Sequence, residues 1–242
     1  MDAIKIENLS KKYSDVVAVK NLNLTVKEGE LFALLGVNGA GKTTTIKVLC
    51  CLTQPSGGNA YLLGKSVVDE SNEVKQFIAL SPQETAIAPG LTVKENLELI
   101  CGVYGFSKNK TVERVSHLTE LLSLEGVLNR KADKLSGGWQ RRLSIAMALI
   151  SEPRILFLDE PTLGLDVIAR SELWDIIRAL KGKITIILTT HYMEEAEALS
   201  DRVAIMAKGK LLTCGTAEEI KQIAGESSFE QAFVKIVKEA KK

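Results

Sequence analysis

The stretch LLGVNGAGKTTTIKVLC, Leu34 to Cys50, sets three glycines, a lysine and a threonine between an apolar run and an apolar-periodic segment. A helix start leaves several N–H groups without partners and carries the positive end of the macrodipole, so it favours an anion. Gly36, Gly39 and Gly41 let the backbone curl around that anion where a Cβ would obstruct. Lys42 can reach β and γ phosphates, and the Thr43 hydroxyl is an oxygen ligand suited to Mg²⁺. The spacing Gly36-x-x-x-x-Gly41-Lys42-Thr43 is the P-loop pattern. Its flanks agree: LFALL (31–35) reads as a buried strand and TTTIKVLCCL (43–52) as a helix.

A chain of 242 residues is long enough to bury a large core, and its 25% charged and 45% hydrophobic residues are ordinary for a soluble globular protein. With 31 basic against 30 acidic side chains there is no general electrostatic case for nucleic acid, and none is expected as a partner. No apolar stretch approaches the roughly 20 residues needed to cross a bilayer. The N-terminus MDAIKIENLSKKY lacks a signal-peptide core, so the chain is expected in the cytosol. Cys50, Cys51, Cys101 and Cys214 lack paired metal-ligand spacing and read as reduced packing residues.

Short alternating runs come first: IKIENL (4–9), LNLTV (22–26) and NAYLL (59–63) predict half-buried antiparallel strands. FIAL (77–80), ILFL (155–158), ITIIL (184–188) and VAIM (203–206) are continuous instead, as strands covered on both faces of a largely parallel sheet are. Residues 84–151 read almost wholly helical. Thr92 with Glu95 makes a capping-box pattern, followed by Leu97, Ile100, Cys101 and Tyr104 on one face. Leu118, Leu121 and Leu122 mark a second helix, and Leu143, Ala146, Met147 and Ile150 a third. A tail from Thr216 carries another capping box, with Glu219, then Phe229, Phe233, Ile236 and Val237 at helical spacing.

ILFLDEP (155–161) puts Asp159 and Glu160 at the end of a buried strand, where open α/β sheets keep their ligands. Asp159 can support Mg²⁺ while Glu160 orients or deprotonates a water for attack on a γ phosphate. KLSGGWQRRLSIAMAL (134–149) then supplies a second glycine-rich helix start, with Ser136 placed to cap it and Gly137 and Gly138 beside it. Alone, Ser-Gly-Gly is usually only a cap.

With these motifs in order, the sequence resembles the ATP-binding subunits of ATP-binding-cassette (ABC) transporters over nearly its whole length. GVNGAGKTT (36–44) is similar to that family's P-loop, SPQE (81–84) to its glutamine loop and LSGG (135–138) to its signature. ILFLDEP (155–161) is similar to its second nucleotide motif, GLD (164–166) to its dimer loop and TTH (189–191) to its histidine switch. The resemblance implies an α/β P-loop NTPase (RecA-like) core with a largely parallel sheet, an N-terminal antiparallel β subdomain and an inserted α-helical subdomain. Residues 1–83 and 152–215 would form the core with its β subdomain, 84–151 the helical subdomain with the signature, and 216–242 a C-terminal helical tail, all in one ATPase domain.

The same resemblance implies ATP and Mg²⁺ as cofactors, with Gly36, Asn38, Gly39, Ala40, Gly41, Lys42, Thr43 and Thr44 around the phosphates. It gives Tyr13 the role of stacking on adenine and makes Thr43, Gln83 and Asp159 the metal-side residues. It makes Glu160, His191, Lys42 and Gln83 the catalytic set. Ser136, Gly137 and Gly138 would close on the ATP of a second copy in a head-to-tail dimer, with Asp166 working across the interface. His117 has no motif and reads as structural or exposed. Trp139 departs from the family, in which the signature most often continues with glutamine. GLTVKENLELICGVYG (90–105), GLDVIAR (164–170) and FEQAFVKI (229–236) resemble the branch of drug, lipid and polysaccharide exporters.

What is expected is therefore a transport ATPase, held at the cytoplasmic face of the cell membrane by an integral-membrane permease. The competing readings are a soluble cassette that regulates or remodels another complex, and a module that holds ATP without hydrolysis. The apolar residues Ala86, Ile87, Ala88 and Leu91 after Gln83 are expected to be an exposed docking loop for the permease.

Overall fold

Every residue of LFALL (31–35), ILFLD (155–159) and TIILTT (185–190) is buried, which requires a sheet covered on both faces. A computed structural model describes residues 1–240 and shows that sheet. In chain order the first half holds β1 (Asp2–Tyr13), β2 (Val16–Lys27), β3 (Leu31–Leu35), α1 (Lys42–Leu49), β4 (Gly57–Leu62), β5 (Lys65–Ser66), α2 (Ser71–Val74) and β6 (Ile78–Ser81). A helical block follows, with α3 (Val93–Val103), α4 (Lys108–Leu121) and α5 (Gly137–Leu149). The chain then returns through β7 (Ile155–Asp159), α6 (Val167–Leu180), β8 (Thr185–Thr190), α7 (Met193–Leu199), β9 (Arg202–Ala207) and β10 (Lys210–Gly215), and ends in α8 (Ala217–Ala224) and α9 (Phe229–Glu239).

The main sheet runs β10-β9-β3-β8-β7-β6, parallel throughout except for β10 at its edge. A second, antiparallel sheet runs β2-β1-β4-β5 and packs its inner face, including Ile4, Leu9, Leu22 and Leu62, over α1 and one face of the main sheet. The helical block shares a second apolar cluster with α6 and the opposite face of the main sheet, including Leu31, Leu156, Leu158, Ile186 and Leu188. Because β3, β7 and β8 are parallel neighbours, the loops that follow all three leave from one edge, and the P-loop, Asp159-Glu160 and His191 meet there.

Three expectations are corrected. Residues 84–92 are not helical, and two short 3₁₀ turns, Glu125–Val127 and Ala132–Lys134, interrupt the block further on. The loop expected to stand out for docking is folded back. Fully buried Asn96 gives its amide to the carbonyls of Ala88, Leu91 and Thr92 and accepts from Ala88 N–H at 2.7 Å, so Ile87 and Leu91 are half-buried. The exposed apolar residues lie instead on α3, where Leu99 is 47% and Val103 73% exposed, and Tyr104, expected to face inward, ends that helix half-exposed.

Both capping boxes are present, at Thr92–Glu95 and Thr216–Glu219. All four cysteines are free thiols, and burial pushes Cys50 up, out of the reactive range. The C-terminal tail is part of the core as far as Val237: Ile220, Phe229, Phe233 and Val237 pack with Ala33, Leu35, Val203 and Ile205 of the main sheet. Residues 241–242 of the expected 216–242 tail lie outside the described residues. Phe229 is 1% exposed, so Phe229→Ala is expected to cost about 3 kcal/mol in a denaturant titration. A change below about 1 kcal/mol would mean the tail is not integral to the fold.

Candidate active site

Helix α1 begins at Gly41, whose φ of +102° and lack of a side-chain cap leave the first-turn N–H groups free to face a ligand. A Cβ on Gly41 would meet the Ala18 carbonyl oxygen at 2.5 Å, and one on Gly36 would meet that of Met206 at 2.4 Å. Only glycine fits either place. The loop opens on a cavity of about 630 Å³ lined by Asn38, Gly39, Ala40, Gly41, Lys42, Thr43 and Thr44, together with Gln83, Glu160 and His191. Val16, Val17, Ala18, Leu163 and Lys208 complete it, none of which the motifs single out.

Lys42 is 5% exposed; its Nζ donates to Gly36 O at 2.7 Å and lies 3.3 Å from Glu160 Oε1. The other carboxylate oxygen, Glu160 Oε2, accepts from His191 Nδ1 at 2.8 Å. Glu160 therefore stands between the P-loop lysine and the histidine. It is held there by backbone geometry as well: its φ is +48°, unusual for a residue with a side chain, and its N–H donates to Thr189 O at 3.1 Å and Thr189 Oγ1 at 3.0 Å. That turn ends the strand and lifts the carboxylate into the cavity.

Asp159 is 5% exposed and accepts from two hydroxyls, Thr189 Oγ1 at 2.5 Å and Thr43 Oγ1 at 3.2 Å. Among the described residues it makes no salt bridge, so a buried carboxylate beside a threonine hydroxyl lacks a counter-cation in direct contact. This donor set fits Mg²⁺, which takes one or two protein oxygens and completes its shell with phosphate and water. Among the described residues no group of three or more His, Cys, Asp or Glu is placed to hold a metal ion. Thr189 ties Asp159 to Glu160, a role the sequence shows only as one letter of TTH.

Several motif residues lie off this cavity. Tyr13 is 43% exposed at the end of β1, with Lys11 Nζ 4.8 Å above its ring, and it pairs with Val16, which does line the cavity. Ser136, Gly137 and Gly138 start α5 elsewhere. Ser136 takes the N-cap backbone conformation, but its side chain makes no capping bond, which corrects the expected cap and leaves an exposed hydroxyl. Asp166 does cap α6, accepting from Ala169 N–H at 2.9 Å, and the next two residues, Val167 and Ile168, are 78% and 73% exposed. Trp139 turns into its own chain: it packs on the helical cluster with the Arg142 guanidinium 4.6 Å over its ring, and Arg142 is bonded to Glu172 of α6. His117 is exposed, as expected. Beneath the His191 turn, Glu195 is fully buried and accepts from Trp174 Nε1 at 3.1 Å; burial pushes its carboxyl up, against the Trp174 donor.

A family model for ABC transporters matches residues 19–163. The chain belongs to the ABC transporter family. It carries the family's ATP-binding cassette, and its relatives include drug and lipid transporters. Over 226 residues it is 42% identical to the human phospholipid-transporting ATPase ABCA3, covering 92% of this chain and 13% of that protein. Over 240 residues it is 38% identical to the probable multidrug ABC transporter ATP-binding protein YbhF of Escherichia coli (strain K12), covering 97% of this chain and 41% of that one. The cassette thus spans less than half the length of either relative. Among solved structures it is similar to a dimeric ATP-binding cassette in a post-hydrolysis state bound to ADP and Pi, with a TM-score of 0.78 and 28% identity over 88% of this chain and 98% of that one. No helix among the described residues is long and apolar enough to cross a membrane.

Proposed function

We propose that this cassette binds Mg·ATP and hydrolyses it as a head-to-tail dimer, driving transport, in the export direction, through an integral-membrane permease that holds it at the cytoplasmic face of the membrane. The observation that carries the reading is the position of Glu160, in contact with both Lys42 and His191 at the mouth of the P-loop. A γ phosphate entering the loop competes with Glu160 for Lys42 and frees the carboxylate to align or deprotonate a water. His191 then contacts the γ phosphate and keeps Glu160 in place. Thr43, Asp159 and Gln83 would hold Mg²⁺, which when bound would neutralise phosphate charge. The N–H groups of Asn38, Gly39 and Gly41 to Thr44 bind the phosphates, the Ala40 N–H being bonded to Val37 O at 3.1 Å, and Tyr13 stacks on adenine beside Val16.

Dimerisation is supported by the free Ser136 hydroxyl, which serves no nucleotide in its own chain, and by Val167 and Ile168, exposed aliphatics next to Asp166. Residues 1–242 then act as one ATPase domain whose helical subdomain spans 84–151. Purified protein is expected to release phosphate from ATP with Mg²⁺ and to stop on EDTA. Turnover indifferent to EDTA, or absent with Mg²⁺ at saturating ATP, would contradict the reading.

The permease reading draws on the names of the relatives and on the apolar stripe of α3. Leu99→Glu with Val103→Glu changes exposed positions only, so ATP turnover of the purified chain should stay within about twofold. The double variant should fail to sediment with membranes that contain the permease. If it still co-sediments and supports transport, α3 is not the contact.

A further inference from the structure

The helix that carries Ser136 is fastened to the loop that carries Gln83. Arg141, 5% exposed, donates from Nη1 to Pro82 O at 2.6 Å and from Nη2 to Gln83 O at 2.5 Å. Three residues on, on the same side of α5, the Ser144 hydroxyl meets the Ser81 hydroxyl at 3.0 Å. Three successive residues at the end of β6 are thereby held by one helix face. A planar guanidinium engaging two adjacent carbonyls fixes orientation as well as distance, which an ammonium cannot do. Arg141 is buried, so leaving its guanidinium without these two carbonyls would be costly.

Gln83 lines the P-loop cavity of its own chain, and Ser136 does not. In the head-to-tail dimer the two residues serve different nucleotides. We propose that Arg141 is a positioning residue that couples the two nucleotide sites of the dimer, by making the Gln83 loop and the Ser136 signature of one chain move as a unit. A shift of Gln83 towards its own metal and γ phosphate is passed through the Arg141 fork to the start of α5, five residues away, and so to the partner's nucleotide. The inference rests on the dimeric reading above.

The test uses a complementing pair, one chain with Lys42→Ala and the other with Ser136→Arg, in which one composite site survives. Arg141→Gln is added to either chain in turn. In the Lys42→Ala chain it loosens the signature that serves the surviving site; in the Ser136→Arg chain it loosens the Gln83 that serves the same site. Coupling at both ends predicts a fall of about tenfold in kcat from either placement, with KM for ATP within about twofold. In otherwise wild-type dimers, the Hill coefficient of turnover should fall from above unity to unity, and Arg141→Lys, which keeps the charge but not the fork, should fall between. Loss from one placement only, or an unchanged Hill coefficient, overturns the coupling. Should Arg141→Gln unfold, Ser144→Ala is read in the same two placements and must show the same two-sided loss to a smaller degree; a one-sided or absent loss again overturns it. If the parent pair recovers no activity although heterodimers form, the dimeric reading itself fails and the coupling falls with it.

Discussion

Glu160→Gln is expected to bind ATP about as well as the wild type and to lose on the order of 10²-fold or more in turnover, as removal of a general base does. The substitution is close to isosteric. It leaves the +48° backbone turn as strained as before and keeps an oxygen for Lys42 to bond, while removing the negative charge that a water would give its proton to. Lys42 is then held less tightly by its neighbour, so ATP affinity should be equal or higher. Undiminished binding with stalled hydrolysis should keep the variant dimeric in ATP on a sizing column. The competing view is that Lys42–Glu160 is only a buried ion pair, with side chains 5% and 9% exposed. That view predicts a loss of stability, since weakening one partner of such a pair is costly, with little change in kcat. Steady-state phosphate release beside a thermal melt separates the two, and near-normal turnover would remove Glu160 from the catalytic role.

The contrast between Asp159 and Asn96 shows what the sequence could and could not reveal. Asp159 was legible because a carboxylate closing an apolar run at a strand end is a local pattern, and parallel pairing then delivers it to the P-loop edge. Asn96 sits among polar neighbours inside a helix and carries no such mark. Its consequence, folding residues 85–91 back onto α3, depends on hydrogen bonds to Ala88, Leu91 and Thr92 that no periodicity reports. Ile87 and Leu91 are half-buried rather than exposed for that reason. Thr189 was invisible in the same way: a buried β-branched strand residue reads as packing, and only the structure shows its hydroxyl and carbonyl fixing both acidic residues. Ser136 shows the opposite case. Its cap position was legible, but whether a hydroxyl turns inward to the N–H of the third residue or outward is a rotamer choice that spacing does not decide. Trp139, which departs from the family's usual glutamine, packs on Arg142 and the helical cluster of its own chain, a contact that spacing alone does not report.

Outward-facing Ser136 leads to the second large effect. Lys42→Ala removes the cation that a γ phosphate needs, and Ser136→Arg places a bulky charge where a partner's nucleotide would sit, so each chain alone should be nearly inactive. Their heterodimer is different. One of its two sites has both defects, and the other joins the intact P-loop of the Ser136→Arg chain to the intact signature of the Lys42→Ala chain. Ser136 is exposed, so the Ser136→Arg chain should fold as the wild type does, whereas Lys42→Ala leaves the buried Glu160 carboxylate without its lysine and should lower stability. A thermal melt of the Lys42→Ala chain, read before mixing, shows how much folded protein is available for pairing.

Mixing the two inactive chains over a range of ratios, with heterodimers confirmed by a tag on one of them, and measuring phosphate release is the most direct test of composite ATP sites. Activity that rises from near zero to a maximum at equal proportions, up to roughly a quarter of the wild-type rate for statistical pairing of independent sites, is the predicted result. A flat zero across all ratios with heterodimers present would contradict the composite site, and substantial activity from the Ser136→Arg chain alone would show that the signature takes no part in hydrolysis.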